Sequence, residues 1–383
     1  MHSNKNGKGD LHTMKKLILL LAFSVIGFTY SQSASTMLLL MGDDVSDYQP
    51  PAGYEFFITS DGDTLKTNDG EYFLVPLPSW DETIFMNWLT DGVAILSNEV
   101  GQFDERLEEP ELIIKDNQLY LFYAAWDNGT PNVGSIGLAT GSSLSSLVKV
   151  GQVLVPSVSG WDNAYVSGQR IYYENGTYYL FYFGSSIEAF EGEPASIGVA
   201  TSTNLTDWTK YAGNPILTIG SVGSWDSDIL YRPYVLKKEN TYYLFYNARR
   251  SDDKEQIGFA TSSNLFGPWT KYGGNPILSF GGAGEWDDDR IGDPYILPFI
   301  FEDQPLWVMF YYGAGNPHAE GEIGIAVSRD LMTWTKSLDN PITMTWQASS
   351  GYSIRPSIKL IDNIWVMLFD NIGTGIYKAL LNN

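Results

Sequence analysis

Ile257-Gly-Phe-Ala-Thr-Ser262 decides the reading of this chain, because the stretch returns at a period of about sixty residues. Ile197-Gly-Val-Ala-Thr-Ser202 precedes it and Ile323-Gly-Ile-Ala-Val-Ser328 follows. Ile136-Gly-Leu-Ala-Thr140 is an earlier copy, and Ile376-Tyr-Lys-Ala379 is a worn last one. A strand-rich unit repeated at this spacing predicts stacked β-units rather than an ordinary mixed domain.

Working outward from that stretch, each unit shows four pieces. An extended segment opens on proline, as in Pro233-Tyr-Val-Leu, Pro294-Tyr-Ile-Leu and Pro356-Ser-Ile-Lys. An aromatic run follows, such as Tyr178-Tyr-Leu-Phe-Tyr, Tyr242-Tyr-Leu-Phe-Tyr and Trp307-Val-Met-Phe-Tyr. The Ile-Gly-x-Ala strand is third, and Trp-Thr-Lys leading to Asn-Pro-Ile is fourth, at 208–216, 269–277 and 334–342. Turn signals such as Glu174-Asn-Gly-Thr separate the first two pieces. The aromatic runs are apolar on both faces, so both faces need cover, which face-to-face blades around an axis provide.

The opening positions Pro110, Gln169, Pro233, Pro294 and Pro356 count five units, which predicts an all-β, five-bladed β-propeller over 92–383. The last unit ends after its third strand. The missing strand is expected from the N-terminal side, at Gly92-Val-Ala-Ile-Leu96, closing the last blade and removing exposed sheet edges. Residues 34–91 form an N-terminal extension, with a small β-hairpin expected over 53–79 from two Asp-Gly turns.

With 383 residues, 44% hydrophobic and 14% aromatic, the chain can bury a large core. It has no cysteine, which excludes disulfides and thiolate metal sites. A formal charge of −22 argues against nucleic acid or anionic membrane as partner. Lys15-Lys16, the apolar run from Leu17 to Tyr30 and the small residues Ser31 to Ser35 follow the order of a signal peptide. Residues 1–33 are therefore read as a leader with upstream residues, Met14 as a plausible start, and the protein as secreted or periplasmic, off the membrane once the leader is cleaved. The sequence says nothing about oligomeric state.

In a four-stranded antiparallel blade the innermost strand starts on one face of the disc, and the loop between its second and third strands returns there. Residues just before each opening position should ring the central mouth: Glu109, Gln169-Arg170, Arg232, Asp293 and Arg355. Flanking loops add Trp126, Asp127, Glu188, Glu191, Arg249, Arg250, His318 and Glu320, and inter-blade loops add Trp161-Asp162, Trp225-Asp226 and Trp286-Asp287. Two carboxylates with arginines and tryptophans suit a polyhydroxylated ligand, and two facing carboxyls are the minimum set for glycoside hydrolysis. Glu109 and Asp293 are the candidate catalytic pair. Arg170, Arg232, Arg355, Trp126, Trp225 and Trp286 are candidate substrate contacts. Carboxylates beside arginines equally make a structural ion-pair ring, and the recurrence of Trp-Asp fits a structural role. No cofactor is expected, and an axial calcium ion stays open.

The order Pro-Tyr-Val-Leu, Tyr-Tyr-Leu-Phe-Tyr, Ile-Gly-Phe-Ala-Thr-Ser, Trp-Thr-Lys-Tyr, Gly-Asn-Pro-Ile-Leu resembles the five-bladed propeller glycosidases over 92–381. These are the family 43 arabinanases and xylosidases, with the related invertase and levansucrase clan. The resemblance implies an Asp base, a second Asp that tunes pKa and a Glu acid, all on innermost strands. Asp293-Pro294 matches the family's Asp-Pro signature, and Glu109-Pro110 stands where its first Asp-Pro is expected. The departures are specific. Glu replaces Asp at the base position, Arg232 stands where a carboxylate is expected, no innermost-strand Glu follows, and an axial histidine has no counterpart. Asp293, or a loop residue such as Glu188 or Glu320, is left as acid. The expectation is a glycoside hydrolase acting on an oligo- or polysaccharide; the alternative is a propeller that binds carbohydrate without cleaving it.

Overall fold

The computed structural model describes residues 75–76, 85–127, 129, 133–188, 193–301, 304–315, 321–344, 354–362, 364–371 and 375–381. The leader, most of the extension with its expected hairpin, and Glu191, His318 and Glu320 lie outside the described residues.

No α-helix occurs among the described residues; the chain is all-β. Antiparallel meanders of three strands follow one another. The first is Arg106–Lys115, Gln118–Trp126, Gly134–Gly141, and the second is Tyr165–Glu174, Thr177–Ser185, Ser196–Ser202. The third is Ile229–Lys238, Thr241–Arg249, Glu255–Ser262. The fourth is Arg290–Phe301, Gln304–Ala314, Glu322–Ser328, and the fifth is Ile354–Ile361, Ile364–Asn371, Gly375–Leu381. Each first strand packs on the first strand of the next meander, and the fifth packs on the first, so the inner strands close a ring. This is propeller architecture, reached from the repeat.

A fourth strand completes each sheet. It is long in the first meander (Val148–Leu154) and only two residues in the next three, at Thr209–Lys210, Thr270–Lys271 and Thr335–Lys336. In the last meander it comes from the N-terminal side: Ala94, Leu96 and Ser97 pair with Tyr377, Ile376 and Gly375. The sheet also takes in Asn87–Leu89, which pairs with Leu380 and Leu381. The sequence reading left this segment in the extension. Its aromatic side chains carry it into the core: Trp88 is buried, and Phe85 packs on Phe299, Phe310 and Trp365.

The repeated motifs are joints within each sheet. The indoles of Trp161 and Trp225 stack on the middle-strand rings of Tyr182 and Tyr246, with centroids 5.6 and 5.5 Å apart, and Trp286 lies against Tyr311. A Cβ on Gly198, Gly258 or Gly324 would sit 2.6–2.7 Å from these indoles, which is why the Ile-Gly-x-Ala strand needs glycine there. The aspartate after each tryptophan accepts from the lysine of Trp-Thr-Lys: Lys210 to Asp162 at 2.6 Å, Lys271 to Asp226 at 2.5 Å, Lys336 to Asp287 at 2.6 Å. Tyr182 and Tyr311 hydroxyls donate to the same aspartates. Lys149 meets Asp104 at 2.6 Å in the first meander.

The asparagine of Asn-Pro-Ile plays the part of a missing strand. Asn214, Asn275 and Asn340 each accept from the main-chain N–H of Val199, Phe259 and Ile325 through Oδ1. Each donates through Nδ2 to the carbonyl of the same residue. One amide side chain thus gives the N–H a partner and adds a second donor to a carbonyl that already accepts from Tyr211, Tyr272 or Ser337.

Candidate active site

The inner strands share a second regularity. In each, the pairing with the middle strand is interrupted by two residues, between Glu108 and Glu111, Ser167 and Arg170, Tyr231 and Tyr234, Gly292 and Tyr295, and Ile354 and Ser357. The first skipped residue is left-handed in every case: Glu109 (φ 57°), Gly168 (67°), Arg232 (40°), Asp293 (54°) and Arg355 (60°). A side-chain-bearing residue in this region costs about 1–2 kcal/mol relative to the right-handed form. The bulge turns each of these residues off the strand's alternation. The second skipped residue is proline, or Gln169 in the second meander, which needs no ladder N–H there.

The five positions meet. Glu109 Oε1 accepts from Arg232 Nε at 2.6 Å and lies 3.8 Å from Arg355 Nε. Its Oε2 accepts from the Ser167 hydroxyl at 2.8 Å and from the Gly168 N–H. Asp293 Oδ1 lies 2.8 Å from the same Arg232 nitrogen but accepts no hydrogen bond. One N–H serves Glu109, so the Asp293 contact is charge attraction without an aligned bond. Both carboxylates are buried, at 1% and 2% exposure.

Their environments act in opposite directions. Burial raises the Glu109 pKa, but Arg232, Arg355 and the bonds from Ser167 and Gly168 outweigh it, leaving the carboxyl below its ordinary value. For Asp293 burial dominates. Arg232 and Arg355 oppose it, the Glu109 charge adds to it, and the carboxyl ends above its ordinary value. Two carboxyls touching one nitrogen have their nearest oxygens at most about 5.4 Å apart, short of the roughly 6.5–9.5 Å that leaves room for a water in inverting glycosidases.

The arginines differ in what they hold. Arg355 donates to Asp370 at 2.8 Å and lies 3.3 Å from Glu108. Arg170 donates to the carbonyls of Pro110, Gln169 and Pro356, and stacks over Tyr295. It serves the main chain of three inner-strand positions more than it serves an open site. Gln169 faces Glu109 through its amide, which donates to the Glu109 carbonyl. The bulge puts Gly168, not Gln169, at the ring position of the second meander. A Cβ there would lie 2.3 Å from the Phe183 ring.

The tryptophans pack on neighbouring rings, and Trp225 and Trp286 stay half-buried. Trp126 is fully buried against Tyr165 and Gly134, and Trp225 and Trp286 give one face to tyrosine and an edge to glycine. Arg249 pairs with Glu193 and Asp253, and Arg250 with Asp252, away from the two carboxylates. Asp127 accepts from the N–H groups of Gly129 and Val133 within its own loop. Among the described residues no cluster of three or more His, Asp or Glu side chains is placed to hold a metal.

Ser167, Gly168, Asn247 and Asp370 are site residues that escaped the sequence reading. Asp370 Oδ1 accepts from the Glu109 main-chain N–H at 3.1 Å, and Asn247 Oδ1 from that of Asp293 at 3.4 Å. The signal was available in the aromatic runs. The residue after Tyr123, Tyr182, Tyr246, Tyr311 and Phe369 is Ala124, Phe183, Asn247, Tyr312 and Asp370, a position that varies as the ring does.

Comparison with known proteins places this geometry. Residues 160–347 match the model of the glycosyl hydrolases family 32 N-terminal domain. The fold is that of the propeller glycoside hydrolases. A glycosyl hydrolase from Bacteroides ovatus superposes with a TM-score of 0.57 at 15% identity, over 79% of this chain and 95% of that one. Zg3597, a family 117 glycoside hydrolase of the marine bacterium Zobellia galactanivorans, gives a TM-score of 0.55 at 15% identity, covering 77% and 90%. A GH130-family structure, from work on glycoside hydrolases that target β-1,2 mannosidic linkages in Candida mannan, gives 0.56 at 17%, covering 80% and 96%. No curated protein matches the chain by sequence.

Proposed function

We propose that this protein is an exported glycoside hydrolase whose five-bladed propeller, closed by its own N-terminal strand, cleaves an oligo- or polysaccharide at the meeting point of its inner strands. One observation carries the reading. Two carboxyls share one arginine, yet their surroundings drive their pKa values apart. Such a pair divides acid from base work within one site. Glu109, held ionised, attacks the anomeric carbon. Asp293, which keeps its proton to higher pH, delivers that proton to the departing glycosidic oxygen. Water then releases the sugar from Glu109, with Asp293 taking the proton back, and the close spacing of the carboxyls favours retention of configuration. Arg232 and Arg355 bind hydroxyls and hold the charge on Glu109. No cofactor enters this scheme. The Leu17 to Tyr30 segment supports export, with a mature start between Ser31 and Ser35.

The contact of Arg232 with both carboxylates favours a second reading, in which the ring binds carbohydrate and cleaves nothing. A panel of plant and algal oligosaccharides separates the two. Cleavage with retained anomeric configuration, followed by proton NMR, supports the hydrolase. Saturable binding with no cleavage across the panel replaces it with the binding module. Inverted product would break the assignment of Glu109 as nucleophile.

A further inference from the structure

The residue that follows the recurring aromatic ring of each middle strand stands opposite the residue just before each bulge. The register pairs Ala124 with Glu108, Phe183 with Ser167, Asn247 with Tyr231, Tyr312 with Gly292 and Asp370 with Ile354. These five form a layer behind the ring, and four of them face the ring position of the following meander. Phe183 lies under Arg232, with the guanidinium 5.8 Å from its ring. Tyr312 is within electrostatic reach of Arg355. Asn247 and Asp370 are the members with a carbonyl-type oxygen, and they stand behind Asp293 and Glu109, the two carboxylates of the ring. Of five places, the two acceptors back the two acids.

We infer that Asp370 and Asn247 are positioning residues: each accepts the main-chain N–H of the carboxylate residue in front of it and fixes that residue's left-handed backbone, and hence the direction of its carboxyl. This deepens the hydrolase reading and rests on Glu109 and Asp293 being the working pair. Two features give the arrangement physical weight. A left-handed glutamate or aspartate is intrinsically disfavoured, so its buried N–H needs a fixed partner to hold the conformation. Asp370 is also fully buried and bonded through its other oxygen to Arg355, the arginine that reaches Glu109 from behind. Asp370 therefore sets both the backbone of Glu109 and the share of Arg355's charge that Glu109 feels. Asn247 does the first job for Asp293 without a charge, and its amide is tied to Glu255 at 3.0 Å. Burial raises the Asp370 pKa to about 7 against the pull of Arg355, so a titrating acceptor stands behind Glu109 and a neutral one behind Asp293.

Charged groups facing Glu109 are Arg232, Asp293 and Arg355 from other inner strands, Asp370 from the fifth middle strand and Glu108 from its own strand. Asp370→Asn keeps an acceptor oxygen and removes the group that titrates near pH 7 behind Glu109. The Glu109 amide resonance should shift as Asp370 titrates in the wild-type protein, and that step should vanish in Asp370→Asn while the amide stays protected from exchange. Asp370→Ala removes the acceptor as well. The Glu109 amide should exchange faster with solvent, and kcat should fall about 10–100-fold with KM nearly unchanged. Asn247→Ala should do the same at the Asp293 amide, which keeps the idea testable should Asp370→Ala not fold. A Glu109 amide resonance with the same pH dependence in wild type and Asp370→Asn, together with unchanged amide exchange at Glu109 and Asp293 in the alanine variants, would overturn the inference, as would kcat losses that follow melting temperature alone. If the wild-type protein cleaves no sugar, the hydrolase reading fails, and the NMR titration and exchange still decide the role of these two residues.

Discussion

The outer joints and the inner ring of this molecule are built on the same repeat but in opposite ways. At the joints, backbone and side chain recur together. Trp, Asp, Lys, Asn and Gly occupy matching places in the second, third and fourth meanders and make the same bonds. At the ring the backbone recurs, left-handed five times, while the side chain changes from Glu to Gly, Arg, Asp and Arg. Repetition of chemistry marks what holds the sheets together. A costly backbone kept while its chemistry varies marks what the fold was built to present.

The sharpest way to break that contrast is to test activity on both sides of it. Glu109→Gln and Asp293→Asn should each lower kcat by about 10²–10⁴-fold with the fold intact. Lys271→Met, at a joint, should leave kcat unchanged. Equal effects in the two regions would end the distinction.

Next in size is Arg232→Met. It removes the cation between two buried carboxylates and should cost about 3–5 kcal/mol in urea unfolding at neutral pH. The sign with pH follows from the shifts. The lowered pKa of Glu109 contributes stability above its unfolded pKa, and that stability is lost as pH falls through the folded value. Without Arg232 this contribution is gone, so the gap between variant and wild type should narrow on acidification. A gap that stays constant down to the acid range would mean that Arg232 acts by packing alone.

Asn275→Ala should cost about 1–3 kcal/mol, since it strands the buried N–H of Phe259, whose C=O keeps the Tyr272 N–H, and should not touch the pH profile. The smallest effect has the opposite sign. Asp293 has a raised pKa, so its ionised form opposes folding at neutral pH. Asp293→Asn should be slightly more stable than wild type there, and the advantage should disappear as pH falls through the raised value toward that of an ordinary aspartate. A loss of stability instead would place Asp293 among the structural ion pairs, alongside the joints.

The joints were legible because their residues repeat, and repeats can be read without coordinates. Asp293-Pro294 and Glu109-Pro110 were legible for the same reason, as variants at a repeated place. The closing strand followed from an incomplete last unit, and Ala94 to Ser97 supply it. What stayed hidden depended on pairing across strands. The two-residue slip at each bulge moved the second ring position from Gln169 to Gly168. Asp370 follows the last aromatic run with no acidic counterpart in the other repeats, and only the register sets it behind Glu109. Phe85 and Trp88 lack the repeat's alternation, so their place in the core came only from the contacts they make.

The bond between the Glu109 amide and Asp370 spans 261 residues of chain, and the strand at Ala94–Ser97 reaches its partner across a similar interval. A ribosome or a translocation pore delivers the first half of this pairing long before the second. Four meanders can form as each emerges, but the last sheet and the backbone geometry of Glu109 wait for Asp370 and the strand Gly375–Leu381. Closing so long a loop is slow chiefly because of chain entropy, which grows with the logarithm of its length. The nascent protein therefore carries an open seam until Gly375–Leu381 has emerged, and the same event that seals the seam also sets the backbone geometry of Glu109.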